Sequence, residues 1–139
     1  MTHRATRRQE VDVIDGRRFR DVLGNFPTSV VAITTTDAGE RPHGMIVGTF
    51  TSVSLDPPLV SFLADRSSTT LRTIRAAGRF CANALAGDQE RLSRRMATGA
   101  AGERFADTAW EPSPLGSPVL DGVVAWVDCV VEQVVEIGD

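Results

Sequence analysis

From Val123 to Ile137 an apolar residue stands at almost every second position: Val123, Ala125, Val127, Cys129, Val131, Val135 and Ile137, broken only by Gln133. Trp126, Asp128, Glu132 and Glu136 occupy the other parity. Side chains of a strand alternate between two faces, so this stretch predicts a long strand with one dry face and one mixed face. A strand of that kind suits a curled antiparallel sheet. With about six strands and a few helices in the chain, it implies a small barrel.

The other elements follow from local pattern. Asp15 can cap a short helix whose Phe19, Val22 and Leu23 recur at helical spacing and are expected to pack on the sheet, with Gly24 as the stop. Ser29 to Thr36 is a β-branched run ending in the turn residues Asp37-Ala38-Gly39, which predicts a hairpin. Met45 to Leu55 forms its returning strand, stopped at Asp56-Pro57-Pro58 because proline has no N–H to give. Leu59 to Ala64, apolar on both faces, predicts a central strand. A helix then begins near Ser68, with Leu71 and Ile74 inward, Arg75 in its last turn and Gly78 at its end. Arg79 to Leu85 predicts another strand. Asp88 can cap a helix over Gln89 to Ala97, in which Leu92 and Met96 lie one turn apart and Arg91, Arg94 and Arg95 point mostly to water. From Thr98 to Pro118 the chain is rich in glycine, alanine and proline, which predicts a long functional loop or lid anchored by Phe105 and Trp110.

A length of 139 residues gives room for one domain, and the apolar (42%) and charged (24%) shares are those of a globular protein. The net charge of −3 offers no basic field for nucleic acid. No apolar run approaches the roughly 20 residues of a membrane helix. Residues 1–15 carry Arg4, Arg7 and Arg8 without a secretory apolar core, and are expected to be a flexible tail before a single domain over 16–139 in a cytoplasmic protein. All fifteen basic residues are arginine, which removes Schiff-base chemistry and the phosphate-loop lysine together. The two histidines, His3 and His43, cannot build a paired-histidine zinc site. Cys81 and Cys129 are expected to be buried free thiols.

Two stretches carry chemical interest. Thr49, Thr51, Ser52 and Ser54 load one strand with hydroxyls beside Gly48, and a glycine inside a strand often marks a close approach to the main chain. These hydroxyls either face water or meet a polar ligand. Further on, Arg66, Ser67, Ser68 and Thr69 crowd a helix start, where unpaired N–H groups and a partial positive charge favour an anion such as phosphate. Serine also caps helices that bind nothing. Asn83, polar in an apolar strand, needs partners that are either ligand or backbone.

In order and spacing, Phe26-Pro27-Thr28-Ser29-Val30, Ser52 to Val60, Arg66-Ser67-Ser68-Thr69, Arg79 to Asn83, Arg104-Phe105 and Gly116 to Leu120 resemble the flavin reductase domain family, from about Phe19 to Asp139. Its members supply reduced flavin to two-component monooxygenases. The resemblance implies a mainly β, six-stranded antiparallel split β-barrel of the FMN-binding type. It implies a phosphate seat on Arg66, Ser67, Ser68 and Thr69 with hydroxyls from Ser52 or Ser54. The flavin ring would lie along Val47, Gly48, Thr49, Phe50 and Thr51, flanked by Pro27, Thr28 and Ser29, with Asn83, Arg104 and Phe105 completing the site. The implied reaction is hydride transfer from NADH or NADPH to N5 of free FMN or FAD, which the cofactors themselves carry without a protein acid or base. A homodimer and a flavin-dependent oxygenase partner are implied as well.

Two features depart from the family's pattern. Gly48-Thr49 stands where the family usually has asparagine followed by serine. The family also continues past Gly138-Asp139 with a histidine and further strands, so the sequence is expected to be a truncated stretch of a longer chain. The rival expectation is a split-barrel protein that retains flavin, a deazaflavin or haem without acting as a reductase.

Overall fold

The computed structural model describes residues 15–139, so the expected N-terminal tail lies almost wholly outside the described residues. The elements in order are α1 (Gly16–Leu23), β1 (Val31–Thr36), β2 (Pro42–Val47), β3 (Thr51–Ser54), β4 (Leu59–Ser61), α2 (Thr69–Ala77), β5 (Arg79–Ala84), α3 (Glu90–Thr98), β6 (Trp110–Pro112), β7 (Pro118–Leu120) and β8 (Ala125–Val130). β1 is buried along its whole length, as its β-branched run VAITTT suits a strand flanked on both edges. The hairpin at Asp37 pairs it antiparallel with β2, Val31 opposite Val47 and Thr36 opposite Pro42. On its other edge β1 pairs with β5, and β5 with β8, giving the four-stranded order β2-β1-β5-β8. β3 with β4, and β6 with β7, form two separate two-stranded sheets.

This sheet separates two apolar clusters. On one face Val31, Ile33, Met45, Val47, Phe80 and Ala82 meet Ile74 of α2, with Phe50, Val60 and Phe62 packed around them. The Phe62 and Phe80 rings cross edge to face at 5.1 Å between centroids. On the other face Ala32, Met96 of α3 and Leu120 of β7 form the second cluster, joined by Phe105 and Trp110. The mainly β class with a few helices is borne out. Among the described residues, however, these strands do not close into a six-stranded barrel.

Several expectations are corrected. The long last strand ladders only over Ala125–Val130, because beyond Val131 no strand among the described residues lies beside it. Cys129 packs on the first cluster while Asp128, on the opposite face, accepts from Ser113 Oγ (2.9 Å) and Leu115 N (2.9 Å), but the expected dry face is not dry, since Val127, Val135 and Ile137 are exposed. The strand foreseen from Met45 to Leu55 is broken into β2 and β3 around Gly48, and Leu59–Ser61 pairs only with β3 instead of lying centrally. The helix α1 is capped by Asp15 as foreseen, yet Phe19, Val22 and Leu23 remain about half exposed (47–53%) instead of packing on the sheet. The N-cap of α3 is Gln89 in place of Asp88, and the Gln89 amide bridges Ala86 N and Asp121 O. Arg95 does not face water, since its guanidinium donates to the Ala106 carbonyl. The expected lid contains the β6–β7 hairpin, fastened to the sheet by Thr34 Oγ1 donating to Pro118 O (2.5 Å) and Thr36 Oγ1 donating to Gly116 O (3.2 Å).

Both cysteines are free; Cys81 is buried and Cys129 partly so. Burial, followed by the nearby Asp128 carboxylate, pushes the Cys81 thiol up to about 12 and the Cys129 thiol to about 11. Neither has the thiolate character of a reactive cysteine.

Candidate functional site: a cleft beside β2

The outer edge of β2, the start of α2 and the end of α3 enclose a cleft of about 570 Å³. Met45, Ile46, Val47, Gly48 and Thr49 form one wall; Leu63, Ala64, Asp65, Ser67, Ser68 and Thr69 form the second; Met96, Ala97 and Arg104 close the end. Its size lies within the roughly 300–1,000 Å³ usual for small-molecule sites.

Gly48 is where the strand wall opens. A Cβ there would sit 2.9 Å from Thr28 Oγ1 and 3.1 Å from Thr28 Cβ, so the absence of a side chain lets the Thr28 side chain pack against the wall. Next to it, Thr49 Oγ1 accepts from Leu63 N (2.8 Å), tying the two walls at the cleft mouth. Gly44 serves a similar purpose deeper in, since its missing Cβ would lie 3.0 Å from the Phe105 ring. Its carbonyl accepts from Arg104 Nη1 (2.8 Å) and Thr70 Oγ1 (3.1 Å), which fixes β2 to α2 and to the segment after α3.

At the helix start, Ser68 is the N-cap: its Oγ accepts from Leu71 N (3.1 Å) and donates to Met45 Sδ (3.4 Å). Asp65 Oδ1 accepts from both Ser67 N (2.7 Å) and Ser67 Oγ (2.5 Å), and these bonds hold its carboxyl below the usual carboxylate range. No hydrogen bond among the described residues engages the Thr69 or Thr70 N–H. Such orphan donors at a helix start are suited to an anionic oxygen.

The cleft therefore brings together seven of the predicted residues: Val47, Gly48, Thr49, Ser67, Ser68, Thr69 and Arg104. Thr28 touches it through Gly48, and Phe105 stands behind it against Gly44. The others lie elsewhere. Phe50 packs on the first apolar cluster. Thr51, Ser52 and Ser54 are on β3, and exposed Pro27 and Ser29 do not line the cleft. Arg66 points to Glu136, with Nη2 3.8 Å from Oε2, and Arg75 reaches the same carboxylate at 3.5 Å. Asn83 is fully buried and spent on the protein: its Nδ2 donates to Ala32 O (3.2 Å), Thr34 Oγ1 (3.1 Å) and Pro118 O (3.3 Å), and its Oδ1 accepts from Leu120 N (2.9 Å). Of the two partners weighed for its amide, the structure supplies the protein one. Sequence reasoning missed Met45, Ile46, Leu63, Ala64, Asp65, Met96 and Ala97. Asp65 alone carried a signal, being the acidic residue that opens the Asp65-Arg66-Ser67-Ser68 turn.

This chain belongs to the flavin reductase like domain family, which residues 23–139 match. It is 48% identical over 126 residues to a flavin reductase of Pseudomonas putida, covering 91% of this chain and 74% of that protein. To the reductase subunit HsaB of a flavin-dependent monooxygenase from Mycobacterium tuberculosis it is 41% identical, covering 91% of this chain and 66% of that one. Among solved structures it resembles a nitrilotriacetate monooxygenase component B homologue from Mycobacterium thermoresistibile (TM-score 0.83, 44% identity, 88% of this chain and 68% of that one). The flavin reductase PheA2 superposes with a TM-score of 0.82 at 35% identity, covering 91% of this chain and 80% of that one. The chain thus spans about two thirds to four fifths of the length of these relatives.

Proposed function

We propose that this protein is an NAD(P)H:flavin oxidoreductase that reduces free FMN or FAD and passes the reduced flavin to a separate oxygenase. One observation carries this reading: a single cleft joins the main chain at Gly48-Thr49 to a serine-capped helix start whose Thr69 N–H is unengaged among the described residues. The first suits the close approach of a flat ring to the main chain, and the second an esterified phosphate.

When both cofactors are bound, the nicotinamide supplies a hydride and the flavin N5 accepts it. The protein's task is positioning, to hold donor and acceptor about 3 to 3.5 Å apart with their rings aligned. Gly48 lets Thr28 close against the ring wall, Thr49 fixes the distance between the two walls, and Met45 and Met96 give the cleft an adaptable apolar lining. Ser67, Ser68 and Thr69 form the phosphate end. Arg104 orders the end of the cleft through the Gly44 carbonyl.

In this reading residues 16–139 are one flavin-binding domain, and the four-stranded sheet with the β3–β4 pair corresponds to the two parts of a split barrel. The half-exposed apolar face of α1 supports a homodimer, which light scattering would reveal as twice the monomer mass. No described helix is long and apolar enough to cross a membrane. The test is direct: NADH and NADPH are each mixed with FMN and FAD in the presence of the protein, and oxidation is followed spectrophotometrically. Consumption in at least one pairing is the expected result, and none in all four would end the proposal. Protein that stays yellow through dialysis would favour a retained prosthetic group instead.

A further inference from the structure

A second cavity, of about 350 Å³, lies between the β1–β2 turn and the β6–β7 hairpin, and it shares no lining residue with the cleft. Arg79, the first residue of β5, is the one cation in its wall. That guanidinium is short of partners. Nη2 donates to Thr36 Oγ1 (2.9 Å), Nε is buried with no acceptor, and Nη1, which also meets no acceptor among the described residues, is not buried. No ion pair among the described residues involves Arg79. A half-buried arginine is ordinarily matched by an anion, because taking the charge out of water is costly. The guanidinium lies against Gly116, where a Cβ would stand 3.7 Å from both Nε and Nη2. The other buried side-chain atom without a partner, Ser117 Oγ, belongs to the residue after Gly116.

We propose that this cavity is a second ligand site, one that takes a small aromatic carboxylate between Arg79 and Trp110. The accessible Nη1 offers its N–H groups to a carboxylate, and charge-assisted bonds of this kind are the strong ones. Half-buried Trp110 and neighbouring Pro112 supply an apolar side for a flat ring. Size narrows the choice further. A volume near the low end of the roughly 300–1,000 Å³ range suits a single ring and is small for a dinucleotide. Glu40, exposed at the rim, is the one acidic residue of the wall. It opposes a phosphate monoester, with about −1.5 to −2 charges, more than a carboxylate with one. Because the cavity and the cleft have no residue in common, the site stands whether or not the cleft holds flavin.

The test is calorimetric titration with benzoate, with benzamide (the ring without the charge), with acetate (the charge without the ring) and with inorganic phosphate. Benzoate is expected to saturate with a Kd of about 1 mM or tighter, and each of the other probes to bind at least about tenfold more weakly. In Arg79→Gln, benzoate should fall to the level of benzamide. Should that variant fail to fold, Glu40→Gln keeps the test decisive, since an exposed side chain is changed: benzoate should bind about twofold tighter at low salt, with benzamide unmoved and the gain screened at high salt. Benzamide equal to benzoate would show an apolar pocket only, and acetate or phosphate equal to benzoate a general anion seat; either overturns the proposal. So does benzoate that fails to saturate, benzoate binding undiminished in Arg79→Gln, which would place it elsewhere, or a Glu40→Gln variant that gains nothing for benzoate.

Discussion

Asn83→Leu is the substitution that best separates architecture from ligand binding. Leucine has the same number of side-chain heavy atoms and the same branching as asparagine and is somewhat larger, so no cavity is created, and the loss is concentrated in hydrogen bonds. The Leu120 N–H, in a residue only 1% exposed, loses its acceptor among the described residues, Asn83 Oδ1 at 2.9 Å. A buried donor left without a partner costs about 1–3 kcal/mol. On the donor side the damage is smaller, because Pro118 O keeps Thr34 Oγ1. Losing the other amide bonds adds about 1 kcal/mol. The expected total is about 3 kcal/mol, a large share of the roughly 5–15 kcal/mol that holds a typical domain folded. In thermal unfolding this corresponds to a fall in Tm of about 10 °C. Flavin affinity, titrated well below the new Tm, should stay within about twofold, since the nearest cleft walls are built by other residues. A variant with unaltered Tm and lost flavin binding would refute the reasoning and return Asn83 to the ligand.

Gly48→Ala should weaken both stability and flavin binding, because the new methyl would lie 2.9 Å from Thr28 Oγ1 and 3.1 Å from Thr28 Cβ. A cost of about 1–3 kcal/mol is expected, with partial recovery in the Gly48→Ala/Thr28→Gly double variant; no recovery in a denaturant melt would show that the strain lies elsewhere. Asp37 provides the pH-dependent case. Its bond to His43, then the backbone N–H of Arg41, lowers its pKa from 3.8 to about 2. A carboxylate depressed in the folded state contributes stability that is present above the unfolded value and lost as pH falls through the folded one. The stability gap between the wild type and Asp37→Asn should therefore narrow between pH 4 and pH 2, and a gap that stays constant there in urea titrations would count against the Asp37–His43 contact.

Elements with a strong local signal were legible in the sequence. The β1–β2 hairpin, the cap of α1 at Asp15, the Ser68-capped α2 ending at Gly78 and the strand β5 stand where turn chemistry and periodicity place them. The failures share a cause, namely that tertiary partners decide what local pattern leaves open. The alternation after Val131 is strand-like, but a strand needs a neighbour. Leu59–Ser61 is apolar enough for a central strand, and its partner is the short β3 alone. The site divides in the same way. Gly48, Thr49 and the Ser67-Ser68-Thr69 turn were found because glycine and hydroxyls are unusual in their positions. Met45, Met96 and Leu63 were missed because an apolar side chain lining a cleft looks, in one dimension, like any other core residue.

The fastening of the β6–β7 hairpin bears on how molecules come and go. Thr34, Thr36 and Asn83 bolt that segment onto the middle of the sheet, while Arg95 staples its approach to α3. A stretch secured at so many places makes a poor swinging door. No residue of that hairpin lines the cleft beside β2, so entry and exit there do not wait on its movement.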